Sequence, residues 1–169
     1  MPSGVKKTTG TDLGSLLEGL AEADVEFILV GGLAAVVQGS PLTTMDVDIV
    51  HNRSSGNIAR LIGFLKSIDA VYRRPDDNII QPTEADLSQM GHMLFSTRLG
   101  PVDVLSFIEE RKVYEDLLEH TVEISFRSHT IRVLGLEKII DLKRSSSDPK
   151  DRQRLPVLEE TLRQSYQQK

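Results

Sequence analysis

Two glycines and two aspartates fall in one short stretch of this chain with a spacing that suits phosphate chemistry. Asp46 and Asp48 lie in a run, residues 45–50, whose other members are apolar. Residues two apart in a strand share a face, so both carboxylates point one way while Val47 and Ile49 point the other, into a core. Side by side they repel, and without a partner at least one must hold its proton above the ordinary carboxylate range. A divalent cation removes the conflict, and a ligand set made only of oxygen suits magnesium or manganese. Gly31-Gly32 closes the apolar run 25–30 and precedes a short helical pattern. Glycine lets a ligand approach the backbone closely, and the start of a helix offers free N–H groups to phosphate. A glycine corner and an Asp-x-Asp strand, as facing walls of one cleft, are the equipment for in-line phosphoryl or nucleotidyl transfer. Catalysis there is mostly positioning and charge neutralisation.

The elements that must position these residues follow from periodicity and punctuation. Leu13, Leu16, Leu17, Leu20 and Ala21 mark one face of a helix capped by Asp12. Residues 25–30 form a buried strand, 33–38 a short helix ended by Gly39, and 45–50 a second strand. Ile58, Leu61, Ile62 and Leu65 give a helix over residues 55–68. Residues 73–88, rich in Pro, Asp and Asn, read as a loop. Residues 92–97 and 102–107 flank a turn, as do 121–126 and 130–134, so each pair is a hairpin candidate. Residues 108–118 read as helical. Two helices close the chain, over residues 136–144 and 149–164, the second with Asp148 as cap and Pro149 at its first position. The sum is α+β: a mixed sheet of about four or five strands flanked by helices, closed by a C-terminal helical pair. A flexible tail over residues 1–11, a core over 12–134 and C-terminal helices over 135–169 packed on that core are the expected divisions.

At this point the sequence resembles a known family. Gly31-Gly32 followed at this distance by Asp46-Val47-Asp48 looks like the signature of the polymerase-beta-type nucleotidyltransferase superfamily. The likeness is to its small bacterial members, which include aminoglycoside nucleotidyltransferases and those of toxin–antitoxin and abortive-infection systems. It spans roughly residues 27–107, with a weaker echo over 136–158. The resemblance implies a nucleotidyltransferase-like sheet and an enzyme that moves a nucleoside monophosphate from a nucleoside triphosphate to an acceptor hydroxyl, releasing pyrophosphate. It implies that Asp46 and Asp48 bind magnesium or manganese, with Asp103, on the later run Val102-Asp103-Val104-Leu105, as third acid, metal ligand or general base. It assigns phosphate contacts to Gly31, Gly32, Ser40 and Thr44, and places Lys143 near the nucleotide phosphates. Lys150 and Asp151 match a basic-Asp phrase of these relatives. One departure stands out: relatives often carry an arginine two residues before the threonine, where this chain has Leu42, and Arg53 is a candidate replacement.

Other readings are weaker. Asp86 and Glu123 are alternative third acids. Lys143 shares the face of Leu136, Ile139 and Ile140, so it must snorkel or reach a negative partner. Asp148 and Asp151 suit a helix start better than catalysis. His51, His92, His120 and His129 have no helical ligand spacing, and cysteine is absent, which argues against a zinc site. A formal net charge of −5 disfavours a diffuse phosphate-backbone binder. The absence of a run of about 18 apolar residues disfavours a membrane span, and the start of the chain lacks an apolar signal core, so the expectation is a cytoplasmic protein. Expected partners are a nucleoside triphosphate and an RNA end, protein side chain or small molecule as acceptor. The competing reading is a non-catalytic, antitoxin-like nucleotide-binding module acting through a protein partner.

Overall fold

The computed structural model describes residues 11–168; of the tail expected over residues 1–11, all but Thr11 lies outside the described residues. The first helix, α1 (Leu13–Glu22), starts at Asp12, whose carboxylate accepts the Ser15 N–H at 3.0 Å. Strand β1 (Phe27–Val30) is buried along its whole length. It runs directly into α2 (Gly31–Val36), so the two glycines open the helix rather than precede it. Strand β2 (Val47–His51) begins one residue after Asp46. Helix α3 (Ser55–Ser67) follows, capped by Ser54.

The stretch expected to be a loop holds more structure than its composition suggests. A two-residue strand, β3 (Val71–Tyr72), precedes it, and α4 (Glu84–Ser88) ends it. Helix α4 starts in a reciprocal capping box between Thr83 and Asp86, a Thr-x-x-Asp phrase present in the sequence. Strands β4 (His92–Ser96) and β5 (Val102–Leu105) form the expected hairpin.

Residues 108–118 are not one helix. Glu110 and Arg111 take left-handed backbone angles, φ 59° and 56°, which no α-helix accommodates. They form a tight turn whose ends are joined by the Ile108 N–H on the Lys112 carbonyl at 2.9 Å. Only α5 (Tyr114–Leu117) is α-helical there. Strands β6 (Thr121–Phe126) and β7 (His129–Leu134) form the second hairpin, and α6 (Leu136–Arg144) and α7 (Pro149–Gln167) close the chain.

Among the described residues all strands join one sheet, in the order β3-β4-β5-β2-β1-β7-β6. Seven strands replace the four or five expected because both hairpins and β3 enter the same sheet. The sheet is mixed: β2 runs antiparallel to β1 and parallel to β5, and β7 runs parallel to β1. Helix α1 packs on α3, β2 and β7, while α2 packs on β1 and β2 and is linked through α6 to α7. Leu158 of α7 is 2% exposed and belongs to the same apolar core as β1 and β2.

One buried amide ties the end of the sheet away from the glycines. Asn57 on α3 is fully buried; it accepts the Glu26 N–H at 2.6 Å and donates to the Glu26 and Asn52 carbonyls at 2.9 and 2.7 Å. It so fixes the entry of β1 against the exit of β2. Replacing Asn57 with Ala takes their partner from the Glu26 N–H and the Asn52 carbonyl, while the Glu26 carbonyl keeps the Asn52 N–H, and should lower the unfolding free energy by about 2–3 kcal/mol in a urea titration.

Candidate active site

Sheet register gathers the acidic residues. Val30 pairs with Asp48, and Asp48 pairs with Asp103, so the end of β1, the start of β2 and the start of β5 lie in one row. Gly31 follows Val30 at the end of that row, and Asp46 lies two residues before Asp48 on the same side. Val47, Ile49, Val102 and Val104, the alternate residues, are fully buried on the other side of the sheet. One carboxylate oxygen from each of Asp46, Asp48 and Asp103 lies within 4.8 Å of the others.

This crowding shifts protonation. Burial pushes the Asp48 carboxyl up to about 7, with the neighbouring Asp46 and Asp103 charges adding to the rise and Lys143 opposing it. Burial also raises the Asp46 pKa, reinforced by Asp103 and opposed by Arg73 and Arg154. The Oδ1 atom of Asp48 is buried without a hydrogen-bond partner among the described residues. An orphaned buried oxygen within a cluster of oxygen-only donors fits a hard divalent cation such as magnesium or manganese.

The glycine corner is shaped by the same carboxylate. Gly31 has φ +74°, and a Cβ there would run into Asp48 Oδ2. Only glycine permits both this backbone and the approach of the acid. A Cβ on Gly32 would sit 3.2 Å from Thr44 Oγ1 and 3.8 Å from an Arg154 nitrogen. Thr44 in turn donates to the Asp46 carbonyl at 3.3 Å. Two small adjoining cavities of about 120 Å³ open here: one is lined by Gly31, Asp48, Glu109 and Lys143, the other by Gly31, Gly32, Leu42, Asp48, Lys143 and Arg154. A larger hollow, about 900 Å³, is elsewhere, lined by Phe27, Asn52 and Ile131 toward the opposite end of the strands.

Several expected residues are placed differently. Ser40 is 5% exposed beyond the far end of α2, its hydroxyl accepting the Leu42 N–H, and it lines neither cavity at the carboxylates. Asp86 caps α4 and accepts the Tyr72 hydroxyl; Glu123, on the outermost strand, faces Arg132. Neither joins Asp46 and Asp48. Arg53 lies past the other end of β2, bonded to the Ser88 carbonyl, and does not stand in for the arginine missing at Leu42. Lys143 reaches negative partners, Glu109 at 3.0 Å and Asp151 at 3.3 Å. Burial works to lower its pKa, but these two carboxylates hold it above its ordinary value. Asp151 also accepts the Ser146 hydroxyl.

Three residues at the site went unread in the sequence. Arg73, directly after β3, donates to Asp103 Oδ1 at 2.9 Å and to the Phe95 carbonyl at 2.9 Å. No local pattern announces it, because β3 is too short to show a period. Glu109 sits in the turn that replaces the expected helix. Arg154 follows Asp151 by three residues and precedes Leu158 by four, so all three share one face of α7, a signal that helical phase alone could have given.

No family model matches the chain, and no curated protein matches it. Solved structures do share its fold. A lincosamide antibiotic adenylyltransferase, LnuA, in a lincomycin-bound form superposes with a TM-score of 0.57 at 13% identity, covering 91% of this chain and 98% of that one. A Thermotoga maritima protein provisionally described as a nucleotidyltransferase superposes with a TM-score of 0.50 at 15% identity, covering 92% of each. The chain therefore has the nucleotidyltransferase fold, as the resemblance of its motifs implies. Among the described residues no helix is long and apolar enough to cross a membrane.

The raised Asp48 pKa gives a pH test with a definite sign. A carboxyl raised from 3.8 to about 7 is harmless to the folded state in acid and destabilises it increasingly as pH rises between those values. Asp48→Asn should therefore raise the melting temperature at pH 8 without metal. Magnesium should raise that of the unaltered protein more at pH 8 than at pH 6, where protons compete for the same oxygens, and should not stabilise the variant. Thermal melts with and without magnesium at both pH values check all three.

Proposed function

We propose that this protein is a metal-dependent nucleotidyltransferase that moves a nucleoside monophosphate from a nucleoside triphosphate to an acceptor hydroxyl, with release of pyrophosphate. The observation that carries the reading is the convergence of Asp46, Asp48 and Asp103 beside a corner where only glycine fits, with a buried Asp48 oxygen left unpartnered. These carboxylates would hold magnesium or manganese. Such a cation, when bound, neutralises phosphate charge and eases ionisation of a hydroxyl.

The chain's own groups divide into two sides because Asp48 and Asp103 lie mid-sheet. On the β1 side are Gly31, Gly32, Thr44 and Lys143, where the triphosphate would lie against bare backbone. On the β4 side are Arg73 and Leu94, the latter paired with Asp103 and 38% exposed. The acceptor would enter there, along the loop that exposes Ile79 and Ile80. Asp103, oriented by Arg73, would take the acceptor's proton as the new oxygen–phosphorus bond forms at the α-phosphate and the bond to the β-phosphate breaks. Leu94, Ile79 and Ile80 on that side are exposed rather than enclosed. An RNA end or a protein side chain presented from outside is therefore the favoured acceptor class.

A second reading, a non-catalytic nucleotide-binding module acting through a toxin–antitoxin-type partner, draws support from Leu42 and from the two carboxylates that tie down Lys143. The two readings separate in one experiment. The protein is incubated with labelled nucleoside triphosphates, magnesium and either total RNA or lysate proteins, and label transfer is followed. Asp46→Ala and Asp48→Ala should each cut transfer by more than about 100-fold, the most that losing an outer hydrogen-bonding partner of a metal site costs. Transfer that survives both changes rejects the assigned site; no transfer to any acceptor, alongside a stable partner complex, favours the second reading.

A further inference from the structure

The charge balance along the two cavities beside Gly31 is uneven. Lys143, which sequence resemblance nominates for phosphate, is bonded to both Glu109 and Asp151, so that group of three carries a formal charge of −1. It offers little to an incoming anion unless those pairs open. Leu42, on the wall of the same cavity, has no side-chain donor. Arg154 lines that cavity too, with a guanidinium nitrogen 3.8 Å from where a Cβ on Gly32 would be. Among the described residues Arg154 has no ion pair and no hydrogen bond, whereas Arg144 on α6 is paired with Glu159 at 2.9 Å.

The orientation of Arg154 is built into α7. Asp151 is clamped to Lys143 on α6, and Leu158 is sunk in the core at 2% exposure. Residues three and four apart on a helix stack on one face, so fixing Asp151 and Leu158 fixes Arg154 between them, toward the glycine corner. Gly32, lacking a side chain, leaves the space between the guanidinium and the α2 backbone open. A planar cation that feels Asp46 electrostatically but makes no hydrogen bond or ion pair among the described residues, aimed across bare backbone, suits a phosphate group, which it can bind through two parallel hydrogen bonds.

We propose that Arg154 is the substrate-binding residue that grips the outer phosphates of the nucleoside triphosphate, supplied from α7 in the space where Leu42 provides no cation. This rests on the nucleotidyltransferase reading above and adds to it the residue that distinguishes a triphosphate from a monophosphate. The C-terminal helix thereby belongs to the nucleotide site.

The test is isothermal titration of the full chain with inorganic triphosphate and magnesium, and with α,β-methylene nucleoside triphosphates and nucleoside monophosphates, at fixed ionic strength. Arg154→Ala should weaken triphosphate binding by about 10- to 100-fold, the range for loss of a charge-assisted hydrogen bond. Monophosphate affinity should hold, and Arg154→Lys should restore part of the loss. Arg154 is exposed, so these variants should melt like the unaltered protein. Unchanged triphosphate affinity in Arg154→Ala overturns the assignment while leaving the metal site standing. An equal loss for monophosphate overturns it as well, since the residue would then not read the outer phosphates. An unaltered protein that binds no triphosphate with magnesium overturns both this inference and the reading beneath it.

Discussion

Asp46, Asp48 and Asp103 repel one another, and much of the structure around them answers to that repulsion. Their oxygens come within 4.8 Å in a partly buried setting where charge is poorly screened. Burial and the neighbouring acids push the Asp48 carboxyl well above the usual carboxylate range, up to about 7. A fold selected only for stability would gain by losing one of these acids. The chain instead commits the centre of its sheet to them: β2 and β5 carry or lead into them, β1 flanks β2 with the glycine corner at its end, and Val47, Ile49, Val102 and Val104 on the reverse side are fully buried. That rigidity is what allows an unfavourable cluster to persist at fixed geometry.

Around the acids stands a ring of cations with different degrees of freedom. Arg73 holds Asp103 directly, Lys143 is shared between Glu109 and Asp151, and Arg154 acts on Asp46 without contacting it closely enough for an ion pair. Tightly paired cations orient carboxylates and anchor helices; an unpaired one remains to meet a ligand. The strand order then sets direction. Asp48 and Asp103 lie between a β1 side closed by α2, α6 and α7 and a β4 side where Leu94 is open to solvent. On the proposed function, the closed side would take the nucleotide against backbone and the open side an acceptor docked from outside.

The acids were legible in the sequence because their geometry is local or nearly so. Strand period places Asp46 with Asp48, apolar flanks identify the β5 run around Asp103, and Gly31-Gly32 punctuates β1. Register between strands is not written in the sequence, so the sequence alone does not show that Asp103, rather than Asp86 or Glu123, lies beside Asp46 and Asp48, as the pairing of β5 with β2 brings it. The failures have the same root. Strand β3 is two residues long and exists through its pairing with β4, and the helical pattern over residues 108–118 yields to a turn that carries Glu109 to Lys143. Helix α4 is a different case: its capping box was written in Thr83 and Asp86, and the Pro- and Asp-rich composition around it concealed the signal.

The arginine absent at position 42 shows why a motif is a weaker guide than the space it serves. Electrostatic stabilisation of phosphate depends on where a charge sits, not on which segment of chain delivers it. Leu42 and Arg154 line one cavity although 112 positions of sequence separate them. A local motif comparison registers only the loss at 42. The gain on α7 becomes visible once the Lys143–Asp151 pair and the buried Leu158 fix the helix's rotation. A substituted motif residue therefore argues against function only after the cavity it would have served has been searched for the same charge from another element.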